Sequence, residues 1–117
     1  MNSTEVMRYI PEIVERLMQI EPTRVILFGS GADSTASEAN DIDLIVVTKS
    51  AQLPTNHREK ESIYLEVATL LRDIRRRVSI DLIVHTQPMH DKFIALNSLF
   101  AREVLQHGVI IYESHHG

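Results

Sequence analysis

Three aspartates carry the clearest chemical signal in this chain. Asp41 and Asp43 stand two residues apart at the head of the run Asp41-Ile42-Asp43-Leu44-Ile45-Val46-Val47-Thr48, and Asp81 stands inside Val78-Ser79-Ile80-Asp81-Leu82-Ile83-Val84-His85. Both runs read as strands, and side chains along a strand alternate between its two faces. Asp41, Asp43, Ile45 and Val47 therefore share one face of the first run. Ser79, Asp81, Ile83 and His85 share one face of the second. The first two carboxylates lie about 7 Å apart along the backbone, and Asp81 joins them if the two strands are neighbours. Like charges gathered in this way repel unless a proton or a cation offsets them. Oxygen-only donors suit the hard cations Mg²⁺ and Mn²⁺. Such ions can hold the attacking and leaving oxygens of a phosphoryl displacement. Taken singly, an Asp-x-Asp at a strand start also serves as a solvated strand end, and Asp81 alone could face water from an edge.

A second ingredient lies upstream. Gly29-Ser30 directly follows the apolar run Val25-Ile26-Leu27-Phe28. Glycine allows close backbone approach, the Ser30 hydroxyl donates a hydrogen bond, and the amides of a following helical turn can bind phosphate oxygens. Gly29 and Ser30 are thus candidate phosphate-binding residues.

The elements that must position these groups are legible from periodicity. Val6, Met7, Ile10, Ile13, Val14, Leu17 and Met18 form a helical stripe. Pro11 interrupts it, which predicts a short helix or turn followed by a main helix from about Ile10 to Ile20, ended by Glu21-Pro22. Val25 to Phe28 is a short strand buried on both faces, and Gly29 to Asn40 is a loop with room for one helical turn. After the strand Asp41 to Thr48 comes a polar, mobile connection containing Pro54. Ile63, Tyr64, Val67, Ala68, Leu71 and Ile74 mark a helix over about 58–76. The strand Val78 to His85 follows. Gln87-Pro88 opens another helical region, Asn97 is placed to cap a last helix through Gln106, and Gly108 falls where a helix ends. Val109 to Tyr112 closes as a strand, with a disordered tail from about residue 113. The order predicts an α/β (α+β) fold: one domain over residues 1–117, a small mixed sheet with helices against it.

Bulk properties agree with a globular domain and exclude several classes. The chain has 117 residues, 44% of them hydrophobic and 24% charged, and at this size about two thirds of the chain's surface can be buried. It has no cysteine, so a disulfide framework, a thiolate nucleophile and a cysteine-ligated zinc site are excluded. The absence fits a cytoplasmic location. A net charge of −4 argues against direct nucleic-acid binding. The longest apolar runs are far too short for a membrane span.

Other residues invite a role and have a simpler one. Arg72, Arg75, Arg76 and Arg77 form the one basic cluster, either complementing a helix C-terminus or contacting phosphate or an acidic partner. The six histidines show no zinc spacing. His85 shares the Asp81 face and is placed either to border the site or on the surface. His115 and His116 fall in the tail. Tyr9, Tyr64 and Tyr112 read as structural, and an exposed tyrosine would also offer a hydroxyl for modification.

Gly29-Ser30, ten intervening residues, then Asp41-Ile42-Asp43-Leu44 resembles the signature of the nucleotidyltransferase superfamily with the DNA polymerase β-like fold. Within it the chain is similar to the minimal nucleotidyltransferases (MNT), encoded beside HEPN-domain toxins. Val25 to Ser30 resembles the family's first strand and turn, Ser79 to Ile83 its strand with the third carboxylate, and Asn97 to Glu113 its C-terminal helix and strand. The resemblance implies that Gly29 and Ser30 contact nucleotide, that Asp41, Asp43 and Asp81 are catalytic and bind Mg²⁺ or Mn²⁺, with Asp81 a potential base, and that ATP is the substrate. It also implies a partner, a HEPN-domain ribonuclease toxin that this chain would adenylylate as its antitoxin, with a homodimer as a further option. Members often carry arginines where this chain has Gly31 and Asp33. That difference lowers the positive charge near a triphosphate and leaves open an antitoxin that neutralises by binding alone. A small-molecule nucleotidyltransferase of the aminoglycoside-modifying kind is a third option, disfavoured by the short chain.

Overall fold

The computed structural model describes residues 3–29 and 41–114, with side chains from Val6 onward. The elements are α1 (Ser3–Leu17), a short 3-10 turn (Met18–Ile20), β1 (Arg24–Phe28), β2 (Ile42–Val47), α2 (His57–Leu70), α3 (Arg72–Arg75), β3 (Ile80–His85), α4 (Gln87–Leu96), α5 (Leu99–His107) and β4 (Val109–Glu113). The strands form one mixed sheet in the order β3-β2-β1-β4. β1 runs antiparallel to both β2 and β4, and β2 runs parallel to β3. A parallel pair needs a long crossover, and α2 with α3 supplies it.

The central position of β1 explains its uninterrupted apolar sequence. Val25 and Leu27 face one layer, where Val6, Ile13 and Leu17 of α1 and Ile63, Val67, Leu71 and Ile74 of the crossover pack against Ile42, Leu44 and Val46. Ile26 faces the other layer with Ile45, Val47 and Val104, flanked by Phe28, Ile83 and Phe93. The alternation assigned from sequence to the two carboxylate-bearing strands is the one observed.

Pro11 does not divide the first helix: α1 runs through it. Proline removes one amide bond and crowds the preceding turn, but Pro11 faces solvent while Val6, Ile13 and Leu17 on the inner face are fully buried. Burial of that face outweighs the lost bond. The crossover helix is split, with α2 ending at Leu70 and α3 covering Arg72–Arg75.

The last two helices meet differently from expectation. Asn97 does not cap α5; it ends α4 in the left-handed conformation (φ 49°, ψ 39°), which asparagine tolerates better than most residues. Ser98 is the N-cap, its Oγ accepting from the Ala101 amide at 3.0 Å. Gly108 ends α5 as expected, but with extended backbone (φ −69°). It is glycine for space: a Cβ there would overlap the Val104 carbonyl oxygen and press on Ile26. β4 extends through Glu113, and Ser114 donates its amide to Thr23 O at 2.9 Å. Among the described residues no helix is long and apolar enough to cross a membrane.

Candidate active site

Register brings the two carboxylate-bearing strands together. In the parallel β2–β3 pair Asp43 lies opposite Asp81, and in the antiparallel β1–β2 pair it lies opposite Phe28. Residues opposite each other in register share a face, so Asp43, Asp81 and Phe28 project to the side of the sheet that carries α4 and α5. Asp41 immediately precedes β2 and is half-buried, as is Asp43, whereas Asp81 is exposed.

Asp43 is the electrostatic centre of the group. Its carboxyl is pushed up to about 6 from an ordinary 3.8, first by burial, then by the charge of Asp81 and a hydrogen bond with it, and lastly by the charge of Asp41. A proton on Asp43 relieves this crowding of like charges, so Asp43 holds it above the usual carboxylate range. A divalent cation would take the proton's place. The donor chemistry fits Mg²⁺ or Mn²⁺: oxygen ligands, half-open to solvent, and already crowded enough to retain a positive charge. Among the described residues no three His, Asp or Glu side chains are gathered closely enough to hold a metal by themselves. Such an ion would draw further oxygens from solvent or from a bound phosphate.

Gly29 has a specific reason to be glycine. Its φ is +72°, and the space a Cβ would occupy is filled by Oδ2 of Asp43. Both the left-handed backbone and the close carboxylate exclude a side chain. Gly29 therefore permits Asp43 to lie over the end of β1. Ser30, the other expected nucleotide contact, lies outside the described residues, as do Gly31 and Asp33.

Two other expectations meet different surroundings. His85 does not border the carboxylates. It lies four residues beyond Asp81 along β3, roughly 13 Å at strand spacing, opposite Val47. It is not a surface residue either; it is buried, with its Nδ1 3.0 Å from Nδ1 of His90. Burial and, next, the neighbouring His90 pull His85 down to about 4. Two members of the arginine cluster serve the fold, Arg75 and Arg77. Arg75 donates to Tyr64 Oη at 3.2 Å and to Ile80 O at 3.0 Å, and Arg77 donates to both carboxylate oxygens of Glu12, at 3.1 and 2.5 Å. These bonds tie α3 to α2 and β3, and the residues just after α3 to α1.

The sequence left the aromatic side of the site unmarked. The chain has three phenylalanines, and all three meet. Phe100 lies edge-on to Phe28 with ring centroids 5.5 Å apart and to Phe93 at 5.7 Å. Only the β1–β2 register puts Phe28 on the Asp43 face and directly across from that carboxylate.

A glycine turn at the end of a buried strand, a carboxylate lying over it, and a second carboxylate in register on the adjacent strand thus meet on one face of the sheet. The sequence profile described as Polymerase beta, Nucleotidyltransferase matches residues 10–116, and the chain belongs to that family. Among solved structures, a chain of a toxin-antitoxin with AMP-PNP is similar over 92% of this chain and 75% of its own, with a TM-score of 0.56 at 19% identity. A second similarity, to tri-AMPylated Shewanella oneidensis HEPN toxin in complex with MNT antitoxin, covers 94% of this chain and 74% of that one, with a TM-score of 0.49 at 16% identity. Among curated proteins no sequence matches significantly.

Proposed function

We propose that this chain is a Mg²⁺-dependent nucleotidyltransferase that moves AMP from ATP to a hydroxyl of a partner protein, acting as the antitoxin of a HEPN-type ribonuclease toxin. The observation that carries the transferase reading is the in-register Asp43–Asp81 pair beside Gly29, in a chain of the polymerase β nucleotidyltransferase family. The shared fold with a toxin-antitoxin solved with an ATP analogue suggests the partner and the nucleotide.

In this reading Asp41 and Asp43 hold Mg²⁺, which when bound would neutralise the phosphates and polarise the α-phosphoryl group. Gly29 and Ser30 receive the β- and γ-phosphates. Asp81, exposed at the edge-strand side of Asp43, accepts the proton of the acceptor hydroxyl. That oxygen forms a bond to the α-phosphorus as the bond to the bridging oxygen breaks, and pyrophosphate leaves. The protein's contribution is placement and charge complementarity, the principal means available in phosphoryl transfer. The added phosphodiester would place negative charge where a ribonuclease must bind RNA phosphates, inhibiting it by repulsion and obstruction.

The test is intact-mass analysis of the protein encoded next to this one, incubated with it, ATP and Mg²⁺. A gain of AMP units that disappears with Asp41→Asn/Asp43→Asn supports transfer. A complex without any mass gain refutes it in favour of neutralisation by binding, and the absence of a complex refutes both.

A further inference from the structure

We infer that the outer edge of β3 holds the acceptor protein, which adds an extended segment to the sheet as a further strand beside Asp81. The inference rests on the proposed transfer to a protein. β3 is an edge strand, with β2 on one side and no strand on the other among the described residues. Hydrogen-bond parity says what that edge offers. Ile42 donates its amide to Ser79 O at 2.9 Å, and Thr48 donates its amide to His85 O at 2.8 Å. Alternate residues of a strand turn their main-chain groups to the same neighbour, so Asp81 and Ile83 also face β2. Ile80, Leu82 and Val84 turn theirs outward. The Ile80 carbonyl accepts from Arg75 at 3.0 Å. The outward groups of Leu82 and Val84 have no partner among the described residues.

The two edges of the sheet differ. β4, the opposite edge, shifts register against β1 between Val25 and Ile26, and such a bulge discourages strand addition. β3 keeps unbroken register with β2 from Ile80 to His85 and contains neither proline nor lysine. Unpaired main-chain donors and acceptors repeating every second residue select an extended chain. A helix spends its amides internally, and a nucleotide carries no matching ladder.

Side-chain parity says what the segment carries. A residue of the added strand level with Asp81 projects to the same face, its Cβ about 4.5–5.5 Å from that of Asp81. A serine, threonine or tyrosine there brings its hydroxyl to Asp81, which is exposed. The hydroxyl oxygen bonds to the α-phosphorus, its proton passes to Asp81, and pyrophosphate leaves. Side chains on the segment's other face lie on the side of Leu82 and Val84. There α2, β3 and α4 form a cavity of about 370 Å³ lined by Tyr64, Val84 and Met89 together with Lys60 and Glu61. Main-chain pairing thus supplies affinity and the cavity supplies selectivity. β3 itself, Ile80 to His85, contains no hydroxyl, so a second copy paired edge to edge through β3 would bring no acceptor; the segment belongs to another protein.

The experiment is residue-resolved amide hydrogen exchange on wild type, alone and with a saturating amount of the purified product of the neighbouring reading frame. Both samples contain Mg²⁺ and α,β-methylene ATP, whose α–β bridge cannot be cleaved. AMP transfer is followed separately with labelled ATP. On addition of the partner the Leu82 and Val84 amides are expected to exchange about tenfold or more slowly, with smaller changes at Asp81, Ile83 and His85, which are already bonded to β2. Leu82→Pro removes one outward amide and sets a ring on the edge. Its fold is checked by urea unfolding, and it is expected to lose about tenfold or more in partner affinity while keeping nucleotide affinity within about twofold. An unchanged Leu82 amide in the wild-type complex overturns the assignment whether or not the variant folds, and a folded variant that binds the partner as wild type does overturns it too. Leu82 protection that appears without partner and rises with protein concentration makes the edge a contact between copies and overturns it as well. AMP transfer with Leu82 unprotected leaves the transferase reading standing and refutes the edge. Protection at Leu82 with no transfer from ATP supports the edge and refutes the transferase reading. No wild-type complex at all overturns both.

Discussion

Replacing Asp43 by asparagine should make the metal-free protein more stable, by an amount that depends on pH in a specified direction. The Asp43 carboxyl is raised from 3.8 to about 6 by burial and by Asp81. A raised carboxyl binds its proton more tightly in the folded state, so its ionisation costs stability as pH climbs from about 3.8 through about 6. The full shift corresponds to about 3 kcal/mol. Asp43 is only half-buried, and solvent screening reduces this to about 1–2 kcal/mol. Asparagine keeps the shape and cannot ionise. In the presence of a chelator, Asp43→Asn should therefore unfold at higher urea than wild type at pH 8, by about 0.5–1 M for a domain of this size, with the gap closing near pH 4. Comparing the two proteins at each pH cancels the contribution of groups that are not coupled to Asp43. Mg²⁺ should stabilise wild type and not the variant, since only the aspartate offers the cation its full charge. A variant less stable than wild type at pH 8, or a gap unchanged between pH 4 and 8, would refute the crowded-carboxylate account of this site.

Gly29→Ala should destabilise by about 1–2 kcal/mol for the left-handed backbone alone and displace Asp43, so chemical denaturation should show a loss and metal-dependent nucleotide binding should weaken together with it. Asp81→Asn should lower transfer about tenfold or more with little change in nucleotide affinity, the pattern of an interaction made in the transition state; an equal fall in both would make Asp81 a metal ligand only. The buried His85–His90 pair should make the fold acid-sensitive. His85 is pulled down to about 4, so stability is fully present above about 6.5 and is lost as pH falls from there towards 4, by about 2 kcal/mol after allowance for screening. This trend opposes that of Asp43 in the same window, so it is best measured by urea titration in the Asp43→Asn background, and His85→Phe/His90→Leu should remove it.

The identity of the chemistry was written locally. Asp41, Asp43 and Asp81, the Gly29-Ser30 turn after an apolar strand, and the alternation that puts carboxylates on one face and Ile42, Leu44 and Val46 on the other all follow from neighbours a few residues apart. Element type was legible for the same reason, and the helices and strands lie close to where periodicity put them. Where the readings failed, a distant contact decided. α1 continues through Pro11 because its inner face is buried against the sheet. Asn97 and Ser98 divide the ends of two helices because α4 and α5 fold back on one another. His85 is withdrawn from the site by the length of β3 and paired with His90 by the packing of α4 onto that strand. Above all, alternation says which face a side chain takes but not which residue stands beside it. That Asp81 lies level with Asp43, and that Phe28 lies across from it, are matters of register. Register is set by the burial of both faces of the sheet, because a one-residue slip would turn every core side chain outward. The sequence alone determined which groups could do the chemistry; only the packed sheet and its helices decided how closely those groups meet.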